Sequence, residues 1–228
     1  MHEGHRARVK KRFQEEGLDH FSDIQALELL LFYAIPRADT NPIAHKLLEH
    51  FGSLSQVLEA SPAELCKVPG VGENAALLLT LIPQMGRFYM TDRSSRVTVL
   101  PTLEKCAEYL VPRFFGRKLE TVFLLCLDAK CKLLCCKELG EGGANSARVS
   151  IRKVVETAIG VNASTVVLAH NHPSGLAVPS PEDIQTTRRV AMALRAVDIT
   201  LADHIIVADD DYVSIAMSDE RFNECLLL

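Results

Sequence analysis

The chain has 228 residues, with 48% hydrophobic and 24% charged side chains and a net charge of −4. That is the make-up of an ordinary soluble globular protein, long enough for one large domain or two small ones. Acidic residues slightly outnumber basic ones in both residues 1–100 and residues 101–228, so neither part is a basic domain built for strong non-specific nucleic-acid binding.

The polar N-terminus shows no secretory signal. The apolar stretches around Ala26–Ile35 and Ala75–Pro83 are too short to span a bilayer. Seven irregularly spaced cysteines without a Cys-x-x-Cys fit reduced thiols, and the expected location is cytoplasmic.

Residues 1–20 mix Arg6, Arg8, Lys10, Lys11 and Arg12 with Glu3, Glu15, Glu16 and Asp19. They read as a short solvated terminal helix, with a nucleic-acid or partner arm as the alternative. Helical patterns follow at 23–32 and 42–51, the second with Pro42 near its start and Gly52 past its end. Further helical stretches follow at 53–58 and 61–65, where Ser61 and Glu64 make a capping box.

Val68-Pro69-Gly70-Val71-Gly72 opens into an apolar helix at 75–85. This stretch resembles a helix-hairpin-helix motif. The resemblance implies backbone N–H groups at Gly70 and Gly72 that approach a DNA phosphate, and hence weak DNA binding. Glu73 stands where a basic residue would help, and a plain helix-packing module is the alternative. The polar run 91–96 is expected to mark a domain boundary.

Beyond it, residues 101–110 read as a helix. Residues 120–128 and 131–136 read as a strand hairpin, and 140–145 as a loop. Cys131, Cys135 and Cys136 are expected to be buried thiols rather than metal ligands, because Cys136 points away from the other two on a strand. A helix at 151–159 precedes a buried strand at 164–169. A helix at 183–197 and strands at 198–207 and 212–215 follow, the last two joined by an acidic turn at 209–211.

His170 and His172 follow the buried strand, and positions i and i+2 of a strand share a face, so two imidazoles can aim at one point. Pro173 and Gly175 then turn the chain. Ser180 and Pro181 read as an N-cap and first helical residue, with Asp183 in the first turn. Two imidazoles, one carboxylate and an open fourth position make a catalytic zinc site. The bland alternative is a chance His-x-His beside an acidic helix start. His204 could support such a site or be a hydrogen-bonded core histidine.

The spacing His170-x-His172-x10-Asp183, with Ser180 three before the aspartate, resembles the metal signature of the JAB/MPN (JAMM) metalloprotease fold. The fuller run His170-Asn171-His172-Pro173-Ser174-Gly175 resembles the bacterial RadC-like family, named for a supposed role in DNA repair. The resemblance implies an α/β fold: a JAB/MPN-like, cytidine-deaminase-like mixed sheet with flanking helices over 98–228, preceded by a small all-α helix-hairpin-helix domain over 1–92. It implies Zn2+ on His170, His172 and Asp183, and hydrolysis of a peptide or isopeptide bond in a peptide or protein substrate by metal-activated water.

Glu120, at the head of the first strand, is the candidate general acid/base; a surface glutamate is the alternative. Ser180 resembles the family serine that steadies the oxyanion, and a pure N-cap role is the alternative. The family's His-Pro-Arg-Glu run is replaced here by Ser150-Ile151-Arg152-Lys153. A second functional expectation is a DNA-associated repair or recombination factor whose metal domain is structural. His-x-Glu with Pro-Cys-x-x-Cys, and His-Glu-x-x-His, are both missing from the sequence, which argues against a nucleobase deaminase and a zincin.

Overall fold

The computed structural model describes residues 2–95, 98–142, 149–209 and 211–218. The chain divides into two compact units, Met1–Gly86 and Arg87–Leu228.

The first unit is helical: α1 (His2–Glu16), α2 (Asp23–Ala34), α3 (Asn41–Phe51), α4 (Leu54–Glu59), α5 (Pro62–Leu65) and the opening turns of α6 (Glu73–Ser95). Serine side chains start three of them. Ser22 and Ser61 form capping boxes with Gln25 and Glu64, and Ser53 caps α4. Leu27, Leu31, Leu47, Leu65 and Leu79 fill the core. α1 is more than a solvated helix. His5 Nε2 lies 2.9 Å from Oε1 of the buried Glu28, and Arg6 donates to Ile35 O at 2.7 Å, satisfying a carbonyl at the end of α2.

Gly70 has φ +101°, and a Cβ there would stand 2.9 Å from two carbons of the buried Ile43 side chain. Gly72 meets nothing within 4 Å. α6 runs well beyond the expected 75–85, through Pro83 to Ser95, so 91–95 closes a helix. The polar residues there include no Gly or Pro to stop it, and Arg93 suits the negative end of the helix dipole.

The second unit contains α7 (Leu103–Leu110), β1 (Glu120–Leu127), β2 (Leu133–Gly142), α8 (Ile151–Gly160), β3 (Thr165–Asn171), α9 (Pro181–Arg195), β4 (Thr200–Ala208), β5 (Asp211–Ser214) and α10 (Ile215–Ser218). One five-stranded sheet has the order β2-β1-β3-β4-β5. β3 and β4 are parallel, as the α9 crossover between them requires, and the other neighbours are antiparallel. The mixed sheet with flanking helices is the expected α/β architecture.

Side-chain alternation builds a core on each face. Phe123, Leu125, Val167, Ala169, Ile205 and Val207 pack with α7, while Val122, Leu124, Val166, Leu168 and Leu201 pack with α8 and α9. β4 breaks the alternation once. Its register against β3 shifts between Val166 and Val167, so Leu201 lies opposite Val166 but Asp203 lies opposite Val167. Leu201 joins the α8/α9 core, whereas Ala202, Ile205 and Val207 all join the α7 core. One extra residue has reversed the sidedness of everything after it.

β2 extends to Gly142, into what was expected to be a loop at 140–145; residues 143–145 of that stretch lie outside the described ones. So does Asp210 in the expected acidic turn. Cys131, Cys135 and Cys136 are half-buried rather than buried. Cys135 packs on the α8/α9 side and Cys136 on the α7 side, and Cys131 sits in the turn before β2 at φ +58°. Among the described residues no helix is long and apolar enough to cross a membrane.

Candidate metal centre

β3 carries His170 as its penultimate residue, on the α8/α9 face with Val166 and Leu168. His172 follows directly, its N–H donating to Val207 O at 2.8 Å, which carries β3-to-β4 pairing one step past the strand. The His172 ring is fixed by Nδ1, 2.9 Å from Leu176 O. Gly175, at φ +82°, makes the turn that brings that carbonyl round.

Asp183 arrives from the first turn of α9 through a capping box. Ser180 Oγ accepts from Asp183 N at 3.1 Å, while Ser180 N and Oγ donate to Asp183 Oδ2 at 2.8 and 2.7 Å. Burial works against ionisation of this carboxyl, but His170 beside it and the hydrogen bonds from Ser180 outweigh it and hold its pKa below the ordinary value.

The three side chains form a cluster with the geometry to hold a metal ion. His170 Nε2 lies 2.9 Å from His172 Nε2 and 3.2 Å from Asp183 Oδ1, and His172 Nε2 lies 3.4 Å from Asp183 Oδ2. Tetrahedral zinc with nitrogen and oxygen ligands has ligand-to-ligand edges of about 3.3 Å, so the donors are already spaced for such an ion.

Glu120 lies on the same face. β1 runs antiparallel to β3 with Val122 opposite His170, which leaves Glu120 just past the pairing, with Oε1 4.0 Å from His170 Nε2. That distance exceeds a ligand edge and lies within reach of a shared water. Asn171, between the two histidines, faces the other side. Its Oδ1 accepts from Thr121 N at 2.8 Å and its Nδ2 donates to Leu119 O at 3.3 Å. It therefore grips the backbone immediately before and after Glu120, a contact that no sequence pattern announces.

Behind His170 stands His204 on β4, its Nε2 2.8 Å from His170 Nδ1. His204 Nδ1 is 2.6 Å from Thr187 Oγ1, which is 2.5 Å from Asp183 O. Burial, with His170 beside it, pushes the His204 pKa well below the ordinary histidine value. The residues that replace the family's His-Pro-Arg-Glu run have local tasks. Ser150 caps α8, Arg152 pairs with Glu156 at 2.7 Å, and Lys153 Nζ donates to Leu139 O. Gly70 and Gly72 belong to the first unit, in the turn between α5 and α6.

A mixed sheet with helices on both faces, and a His-x-His pair at the end of one strand facing an aspartate from the next helix, defines a JAB/MPN-like domain. The chain belongs to the RadC-like JAB domain family, whose model matches residues 100–221. It is 36% identical over 209 residues to a UPF0758 protein of Nitrosococcus oceani, covering 92% of this chain and 93% of that one. It is 32% identical over 219 residues to a UPF0758 protein of Fusobacterium nucleatum, covering 93% of this chain and 94% of that one.

Proposed function

We propose that the protein is a metal-dependent hydrolase of a peptide or isopeptide bond, with zinc held by His170, His172 and Asp183. The observation that carries this reading is the convergence of three ligand atoms at zinc-like spacing, with a carboxylate, Glu120, next to them and outside the ligand set. Zinc in this position would supply Lewis acidity and a water whose pKa is lowered to about 7.

The chain's own residues do the rest. Glu120 Oε1, 4.0 Å from the His170 ligand atom, accepts the water proton and returns it to the leaving amine. Asn171 keeps the Glu120 backbone in place through Thr121 and Leu119. Ser180 holds Asp183 with its single hydroxyl hydrogen, and its second task would be to turn that hydrogen to the developing oxyanion.

The test is metal analysis of the purified protein, joined to a hydrolysis assay on a diverse peptide library. One zinc per chain is expected, lost in His172→Ala and Asp183→Ala. Glu120→Gln should keep the zinc and lose roughly 10²–10⁴-fold in turnover. Zinc lost in Glu120→Gln would make that carboxylate a ligand, and unchanged turnover would put the base elsewhere.

A further inference from the structure

We propose that Thr187 and His204 form a directional hydrogen-bond relay that fixes the tautomer of His170 and leaves its Nε2 lone pair free for a metal. Both are positioning residues, and their purpose rests on the metal-centre reading above.

The direction follows from counting hydrogens. Thr187 Oγ1 lies 2.5 Å from Asp183 O and 2.6 Å from His204 Nδ1. A carbonyl oxygen only accepts, so the one hydroxyl hydrogen of Thr187 goes to it. Thr187 Oγ1 must then accept from an N–H at His204 Nδ1. A neutral imidazole carries a single N–H, so His204 Nε2 is an acceptor. Its partner at 2.8 Å, His170 Nδ1, is therefore the donor. A His170 with one ring proton, on Nδ1, has its lone pair on Nε2.

The opposite direction fails at Thr187. With the proton on His204 Nε2, His170 would accept at Nδ1 and carry its own proton on Nε2, in the ligand position. His204 Nδ1 and Asp183 O would then compete for one hydroxyl hydrogen. Water cannot step in, because Thr187, His204 and His170 are 0%, 1% and 2% exposed.

His172 reaches the same state independently. Its Nδ1 faces another pure acceptor, Leu176 O at 2.9 Å, so its proton is there and its Nε2 is a lone pair. Two imidazole lone pairs 2.9 Å apart, beside a carboxylate oxygen, repel one another unless a cation sits among them. The relay also ties both ligand-bearing elements together. It begins on the α9 backbone at Asp183, crosses β4 and ends on β3 at His170.

Two measurements on the full chain decide it. Proton–nitrogen correlation NMR with isotope-labelled histidine, at alkaline pH before zinc is added, should find His204 and His170 protonated at Nδ1. A His204 protonated at Nε2 overturns the relay. Chelator competition then reads zinc affinity. Thr187→Val keeps the shape without the hydroxyl and should bind zinc roughly 10–100-fold more weakly, while Thr187→Ser should recover to within about threefold of wild type. Unchanged affinity in Thr187→Val also overturns it. Should Thr187→Val fail to fold, the wild-type tautomers remain decisive. If wild type binds no zinc, the metal-centre reading fails, and the NMR result decides the relay by itself.

Discussion

Asn171→Ala separates the two sides of the His-Asn-His run. The side chain is buried and serves the backbone around Glu120, taking the Thr121 N–H at 2.8 Å and giving to Leu119 O at 3.3 Å. The two bonds are unequal. Leu119 is half exposed, and its carbonyl also receives the Thr121 hydroxyl at 3.1 Å, so water and that hydroxyl can cover its loss. Thr121 is fully buried, and its N–H would have no substitute. One buried unsatisfied amide costs about 1–3 kcal/mol. At about 2–4 °C per kcal/mol for a chain of this size, Tm should fall by roughly 2–12 °C. Circular dichroism melting reads that shift, and hydrogen exchange at the Thr121 amide reads its cause, since that proton should lose its protection. Asn171→Asp keeps an acceptor for Thr121 and should keep the protection. Zinc binding should change little in either variant, because the ligands point to the opposite face. A Thr121 amide that stays protected in Asn171→Ala, with an unmoved Tm, would refute the clamp.

Zinc at about 100 times its Kd should raise stability by about 2.7 kcal/mol, reversed by chelation and absent in His172→Ala; no shift in wild type would count against the site. Burial raises the Asp203 pKa above the ordinary carboxylate value, although the N–H groups of His204 and Ala216 donate to its Oδ1; Ser214 is close enough to oppose the shift, but among the described residues no donor is in hydrogen-bonding geometry at Oδ2. The neutral form is thus favoured in the fold, so wild type should lose stability relative to Asp203→Asn as pH rises through the folded-state pKa, and parallel stability–pH curves would refute this. Gly70→Ala must strain a φ of +101° and press on Ile43, and should destabilise the first unit by about 1–3 kcal/mol in chemical denaturation, whereas Gly72→Ala should be near neutral. Gly72→Glu is therefore the clean probe of the expected weak DNA contact: binding should fall in a salt-titrated assay, and unchanged binding would remove this turn from the interface.

The candidate ligand set was legible because each of its residues rests on a local rule. Strand alternation puts His170 and His172 together, and a Ser-Pro-x-Asp helix start fixes Asp183. Glu120 was legible as the head of a strand, with the pairing of that strand to β3 supplying its neighbour. His204 was only half legible, and the reason lies in β4. Counting alternate residues on from Leu201 would turn Asp203 towards the site and His204 into the α7 core. The extra residue between them, visible only as a shift against β3, does the reverse. The task of Asn171 was hidden because it is a contact with backbone fifty positions away, which no periodicity encodes. The true length of α6 was hidden for the opposite reason, since polar residues end helices often enough that 91–95 read as a break.

The Ser180 capping box has a further consequence for how an ion would enter. Asp183 Oδ2 is tied to the Ser180 N–H and hydroxyl, while Oδ1 points to His170. One oxygen anchors the side chain and the other is left to ligate, so the carboxylate has no rotamers to surrender when a cation arrives. The ordering cost that a free aspartate would meet at that moment has been met already, during folding, by the start of α9. Metal uptake at such a site is an act of docking into a set mould, and its speed should be governed by how fast the ion sheds water rather than by any motion of the chain.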